Sequence, residues 1–335
     1  MRILIVTNER ANVPGVEQYG YHRALCELGH ETEIFYYRKK SFAYSNFRKA
    51  WVRRMNKRLV ERVRDWKADL LLVFRGGYVS AETIHTVNRK TSCVTVNFYN
   101  DNPWGLAGVY PPLPFEVIQA YRLFLTKDRY FERELRAQGI DHVRYLPHGY
   151  DPAYFRPPDL SEENRRRFGA DVSFVGSPYP FRVALMDGIV GPKVDLRIWG
   201  KGRWKDVKSD WIRERYQGVL PNEDKVRVYA ASRINLNPQH PGGGVFSLED
   251  RSISIAGSGG FQLTNHKEDI GEFFTPGEEI ATYRDRADLR RLIEYHVSHP
   301  DETAEMSRKA MERALRDHTH RRRVETLLEM LGGSG

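Results

Sequence analysis

The chain holds only two cysteines in 335 residues, Cys26 and Cys93, and they lie far apart. A disulfide framework needs several cysteines at short spacings, and a thiolate zinc site needs neighbouring pairs, so neither is expected. Each cysteine reads as a small apolar core filler. No apolar run approaches the roughly 20 residues that a bilayer-spanning helix requires. The opening segment, Met1 to Val6, is too short for a secretory leader and lacks a small-residue cleavage site. It reads as a buried first strand, and the chain as cytoplasmic. No Asp-x-Asp pair occurs, and no histidine–carboxylate cluster has ligand spacing, so no metal is expected. The dinucleotide fingerprint Gly-x-Gly-x-x-Gly is missing, and there is no internal repeat.

What is present points to an enzyme-sized α/β protein. Apolar strands alternate with helical patterns throughout, the signature of doubly wound domains with parallel sheets. Strands are expected near residues 3–6, 33–37, 70–74, 94–98, 123–126 and 144–146, and again near 171–175, 196–199, 234–236, 261–263 and 280–283. The stretch from Tyr150 to Pro158, continued by a polar, basic run to Arg167, breaks this rhythm as an interdomain linker would. The division is therefore a first domain over 1–160 and a second over 166–315. The last helix, 316–331, is expected to pack back on the first domain. The final Gly332–Gly335 reads as a linker scar.

A formal net charge of +9 favours a polyanionic partner such as a membrane surface, nucleic acid or anionic polysaccharide. The basic excess is dense over residues 39–67. There Phe47, Trp51, Met55, Leu59 and Val63 form one helical stripe, and Arg53, Arg54, Lys57 and Arg58 form a charged face. The stripe either packs into the first domain or lies on a membrane or polyanion, which leaves room for peripheral membrane contact.

Candidate site residues cluster where strands end, because open parallel sheets place ligands outside the carboxyl ends of their strands. Gly15 and Glu17 follow the first strand, where glycine admits a ligand and a helix N-terminus attracts negative charge. Asp101 follows the fourth strand and is either a base for an acceptor hydroxyl or the cap of an Asx turn. His148 closes the sixth strand, as a base or as a turn residue. In the second half, Gly176 and Ser177 lead to Arg182, which can make forked bonds to a diphosphate or sit exposed on a helix. Gly200, Tyr216 and Val219 occupy the next two loops. Asn237, His240 and Gly243 belong to a glycine-rich loop that either wraps a ligand or is merely mobile. After it come Glu249, Arg251, Ser252, Ser254 and Ile255, a small-residue helix ending at Gly257–Gly260, an apolar strand, and the segment from Phe273 to Glu278.

In this order the motifs resemble the donor-binding half of group 1 glycosyltransferases, within them the spore-maturation-protein-like branch. The resemblance runs from Asp171 to about Arg323 and more loosely over the first half. It implies two Rossmann-like domains facing a cleft, the glycosyltransferase-B architecture. It also implies a nucleotide-diphosphate sugar as co-substrate, a UDP-sugar first, with no other cofactor. Transfer would retain configuration, with Arg182 and helix-end amides meeting the leaving diphosphate in place of a metal. The acceptor would be a glycan, a lipid-linked or another polyanionic molecule, or a DNA base. The family glutamate that takes ribose hydroxyls is replaced here by Ser254, which cannot serve as a charged acceptor. Two other readings of the scaffold are a sugar-nucleotide epimerase or hydrolase and a non-catalytic binding protein.

Overall fold

The computed structural model describes residues 1–8, 15–37, 42–106 and 111–332. Loop residues 12–14, the start of the basic segment at 39–41, and the terminal 333–335 lie outside them. The chain divides into two units: residues 1–148 with 241–247 and 320–335, and residues 149–240 with 248–319.

Unit 1 opens with β1 (Arg2–Thr7), α1 (Glu17–Glu27), β2 (Glu31–Tyr36), α2 (Phe42–Asn46) and α3 (Arg48–Asp65). It continues through β3 (Leu70–Phe74), α4 (Ala81–Lys90), β4 (Val94–Tyr99), α5 (Phe115–Ala120), β5 (Leu123–Thr126), α6 (Arg129–Ala137) and β6 (Val143–Tyr145). Unit 2 runs α7 (Glu162–Phe168), β7 (Val172–Val175), α8 (Pro180–Met186), β8 (Leu196–Trp199), α9 (Asp210–Glu214), β9 (Tyr216–Gly218), α10 (Asn222–Ala231) and β10 (Ile234–Asn237). It ends with α11 (Asp250–Gly257), β11 (Gln262–Asn265), α12 (Ile270–Phe273), β12 (Ala281–Tyr283), α13 (Arg286–Ser298) and α14 (Pro300–Asp317), after which α15 (His320–Gly332) returns to unit 1.

Each unit holds one six-stranded parallel sheet, ordered β2-β1-β3-β4-β5-β6 in unit 1 and β12-β11-β10-β7-β8-β9 in unit 2. Central strands of such sheets are covered on both faces and so read as unbroken apolar runs. The run Leu70–Phe74 does so, buried at every position. Strand order reverses between β1 and β3 in unit 1 and between β7 and β10 in unit 2, which leaves a crevice at the carboxyl ends there.

In unit 1, Tyr21 and Leu25 of α1 pack with Val324 and Leu327 of α15 over one face of the sheet. A Cβ at Gly20 would lie 2.0 Å from the His320 ring, so only glycine lets α15 close on α1 here. On α3, Met55, Leu59 and Val63 enter the other core layer with Trp51 half-buried, while Arg53, Arg54, Lys57 and Arg58 are exposed. Among the described residues no helix is long and apolar enough to cross a membrane.

The structure differs from the sequence reading at several points. Phe47 is 62 % exposed and leaves the stripe, because it precedes the helix and has no helical phase. Cys26 is exposed rather than a core filler: α1 buries Tyr21, Ala24 and Leu25, and position 26 turns off that face. Cys93 is buried, which pushes its thiol up to about 12. Tyr216–Gly218, read as a loop, is the edge strand β9; three half-exposed residues carry no apolar run to reveal it. The division falls after His148, not at 160. Tyr150 bridges to Thr319, its ring would meet a Cβ on Gly257 at 2.2 Å, and Glu162–Phe168 is a helix capped by Ser161. The supposed linker is therefore packed into unit 2.

Candidate functional site

In unit 1, the ends of three strands and the start of α1 assemble one polar group. Glu17 opens α1, Arg75 follows β3, Asn100 and Asp101 follow β4, and His148 follows β6. His148 Nδ1 lies 2.9 Å from Glu17 Oε1, and the Asn100 amide donates to Glu17 Oε2. Arg75 Nε donates to Asn100 Oδ1 at 3.1 Å and pairs with Asp101 Oδ2 at 2.9 Å. Arg323, from α15, donates to the His148 carbonyl at 3.0 Å.

Burial pushes the Glu17 carboxyl up, but His148, His320 and Asn100 together outweigh it, and the net lies below the usual carboxylate range. Arg75 has φ 60°, in the left-handed region that costs a side chain roughly 1–2 kcal/mol. The surrounding structure holds that strain, and the result is a guanidinium turned onto Asn100 and Asp101. Of the residues singled out from sequence, Glu17, Asp101 and His148 come together here. Gly15, at φ 78°, precedes them as a left-handed turn residue. Arg75, Asn100, His320 and Arg323 were missed; only the strand-end position of Arg75 could have marked it.

The glycine-rich loop after His240 belongs to unit 1, and its last residues are anchored there rather than mobile. Asp128, wholly buried, accepts from the backbone N–H groups of Val245, Phe246 and Ser247 at 2.6, 3.0 and 3.3 Å. Gly243 lies just before this anchorage, half-buried.

In unit 2, the glycines after β7 and β8 meet backbone to backbone. A Cβ on Gly200, whose φ is 144°, would stand 1.9 Å from the Gly176 carbonyl oxygen. The Trp204 indole donates to that same oxygen at 3.1 Å, and the Tyr216 hydroxyl donates to the Gly200 carbonyl at 2.9 Å. Around this contact cations gather. Arg251 Nη1 donates to the Val175 carbonyl at 3.0 Å. Arg182 is only 3 % exposed, neither a surface residue nor open to solvent. It donates to the Pro238 carbonyl through Nη2 at 3.1 Å and lies 5.0 and 5.3 Å from the ring centres of Tyr179 and Phe181. Burial first, then Arg251, pushes its guanidinium down to about 9. Lys225 of α10, which sequence reasoning missed, is lowered by burial and by Arg251 and Lys201, against the pull of Asp250. Burial is the first cause for both, and Arg251 is their common like-charged neighbour.

Other residues from the sequence reading fall differently. Ser252 is fully buried, and its hydroxyl accepts from Asn237 and Gln239. Asn237 and Ile255 are also buried, so the side chains of these three serve the interior of unit 2. Ser254 is 6 % exposed on the same helix. Glu249 stands at the N-cap of α11, its N–H given to Gln239. Ser177 is half-buried beside Gly176. Val219 is 57 % exposed, and His240 sets its ring edge against Tyr179 at 4.6 Å. Among the described residues no group of three or more His, Cys, Asp or Glu is placed to hold a metal ion.

Residues 182–329 match the family described as glycosyl transferase-like. Over 178 residues, 47 % of this chain, the sequence is 25 % identical to the spore protein CgeB of Bacillus subtilis. Over residues 182–329 the chain is similar to glycosyl transferases. The chain matches about half the length of CgeB, 55 %. Sucrose-phosphate synthase from Thermosynechococcus elongatus superposes over 100 % of both chains with a TM-score of 0.70 at 13 % identity. Anabaena HepE in complex with UDP-glucose superposes over 99 % of this chain and 100 % of its own, with a TM-score of 0.66 at 10 % identity. These superpositions show the fold, glycosyltransferase-B, with two six-stranded parallel sheets.

Proposed function

We propose that this glycosyltransferase moves a sugar from a nucleoside diphosphate sugar, a UDP-sugar first, to an acceptor hydroxyl. The observation that carries the donor reading is the place of Arg251, which stands against Gly176 where Gly176 meets Gly200 and has buried Arg182 and half-buried Lys225 as like-charged neighbours. As the bond from the anomeric carbon to the diphosphate oxygen breaks, negative charge grows on the diphosphate, and positioned cations lower the barrier by meeting it. Arg251 repels both Arg182 and Lys225, with Glu249 and Asp250 offsetting part of that repulsion, so a diphosphate brings negative charge that these cations favour. HepE, of similar fold, is a structure in complex with UDP-glucose.

On the acceptor side the geometry favours His148 over Asp101 as the group that takes the hydroxyl proton. Asp101 is committed to Arg75. Glu17, beside His148 Nδ1, orients the imidazole and supports the positive charge it gains on taking a proton. Retention of configuration and operation with the cationic cluster rather than a metal complete the reading. The exposed basic face of α3 is the surface on which contact with a membrane or polyanion is expected.

The test is calorimetry with UDP, GDP, ADP and TDP, followed by product analysis with the matching sugar donors. Tight binding of one diphosphate that is weakened at least tenfold in Arg251→Ala supports the donor site. No binding of any of the four by the wild-type chain overturns it. Consumption of the donor to an epimer or free sugar, with no transfer to any acceptor, would assign the epimerase or hydrolase reading instead. Proton NMR of the product's anomeric signal decides retention, and unchanged turnover in EDTA decides metal independence.

A further inference from the structure

Unit 1 carries a second feature that the donor reading does not use. Trp104, three residues beyond Asp101, is 36 % exposed, unusual for the residue with the most apolar surface to hide. Its ring lies 6.3 Å from that of Tyr130, and Tyr130 lies 5.4 Å from Phe246. Buried Phe131, 5.2 Å from Trp104, forms the floor. Three part-exposed aromatic rings, their successive planes inclined at 56° and 78°, therefore make a stepped ledge in the same unit as Glu17 and His148.

The ledge is rigid. The Trp104 N–H is held by the Asn102 side chain at 2.9 Å. A single buried carboxylate, Asp128, holds the other two: Oδ1 accepts from the Tyr130 N–H at 2.9 Å and Oδ2 from the Phe246 N–H at 3.0 Å. A backbone tied down at all three residues before binding leaves less to be ordered on contact, which favours affinity. Arg133 closes one end, its guanidinium 5.5 and 5.3 Å from the ring centres of Tyr130 and Phe246.

We propose that this ledge is the acceptor subsite and that the acceptor is a carbohydrate chain whose pyranose rings lie on Trp104, Tyr130 and Phe246. A pyranose turns a face of C–H bonds, slightly positive, onto the negative face of an aromatic ring, while its hydroxyls point outward. The local charges suit a polyol better than a polyphosphate. Arg133 is offset by Glu134 at 3.4 Å, Arg136 by Glu132 at 4.0 Å, and Asp101 carries a carboxylate. The inference rests on the glycosyltransferase reading, which supplies the reason for an acceptor at all.

The test probes a printed array of neutral and uronic-acid oligosaccharides with the full chain in the presence of UDP. Single-stranded RNA and anionic phospholipid vesicles are run alongside. Glycans should be retained, with at least a tenfold loss of signal in Trp104→Ala and in Phe246→Ala, and most of the signal kept in Trp104→Tyr. UDP affinity by calorimetry, within twofold of wild type in each variant, reports that the chain is folded and reads the donor side separately. An array with no retained glycan, or glycans held equally by Trp104→Ala, overturns the proposal. So does binding of RNA or vesicles in place of glycans that is lost in Trp104→Ala. Failure of the wild-type chain to bind UDP defeats the donor reading while leaving the array result legible.

Discussion

Replacing Lys225 with methionine should push stability and binding in opposite directions. Lys225 stands on α10, half-buried, with Arg251 and Lys201 as like-charged neighbours and Asp250 as its opposite. Burial and those two cations already hold the amine below the usual lysine range. Methionine keeps the apolar length and removes the charge. Relief of like-charge repulsion is on the order of 0.5 kcal/mol for neighbouring side chains, a rise of about 1–2 °C in Tm for a unit of this size. If the amine also meets a diphosphate, its loss removes a charge-assisted bond worth roughly 1.5–3 kcal/mol. That is about a tenfold to hundredfold weakening of UDP binding. Differential scanning fluorimetry of the ligand-free chain and calorimetry with UDP read the two quantities, and Lys225→Arg should restore binding. A variant that melts lower than wild type and binds UDP within twofold of it would refute the reasoning, because Lys225 would then be a structural cation.

Three further outcomes follow from the geometry. Glu17→Gln should cost roughly 1.5–3 kcal/mol at neutral pH, the worth of a charged hydrogen bond. A carboxyl held below its ordinary value of 4.5 contributes stability above that value and loses it as pH falls through the folded value. Urea titrations at pH 7 and pH 3.5 should therefore show the gap between wild type and Glu17→Gln closing on the acid side. Gly20→Ala places a methyl 2.0 Å from His320 and should destabilise by about 1–3 kcal/mol through overpacking. His320→Ala combined with it should recover part of that loss in urea midpoint. Gly200→Ala, clashing at 1.9 Å with the Gly176 carbonyl, should lower UDP affinity at least tenfold, whereas Gly271→Ala, with nothing near its Cβ, should bind as wild type.

The legible parts of the site were those carried by strand ends. Glu17, Asp101, His148, Gly176 and Gly200 each follow an apolar run, and the rule that parallel sheets bind at their carboxyl ends found them. Lys225 was not legible, because it sits in mid-helix among other charges and nothing local marks it. Asp128 was hidden in the same way: a helix N-cap looks like any other until the loop it holds arrives from 117 residues further along the chain. No local pattern marks Ser252, Asn237 and Ile255 as side chains that turn inward.

By itself the sequence determined the two parallel-sheet units and all but one of their strands, because strands buried on both faces must be written as apolar runs and helices as periodic ones. Only the tertiary structure decided which charges meet. Arg182, Arg251, Lys225 and Lys201 are separated by up to 69 residues, and no local pattern records their approach. The same holds for the Glu17–His148 pair, 131 residues apart. Hydrophobic periodicity is a local property that repeats along the chain, whereas a site is a coincidence of strand ends that exists only once the sheet order has been set.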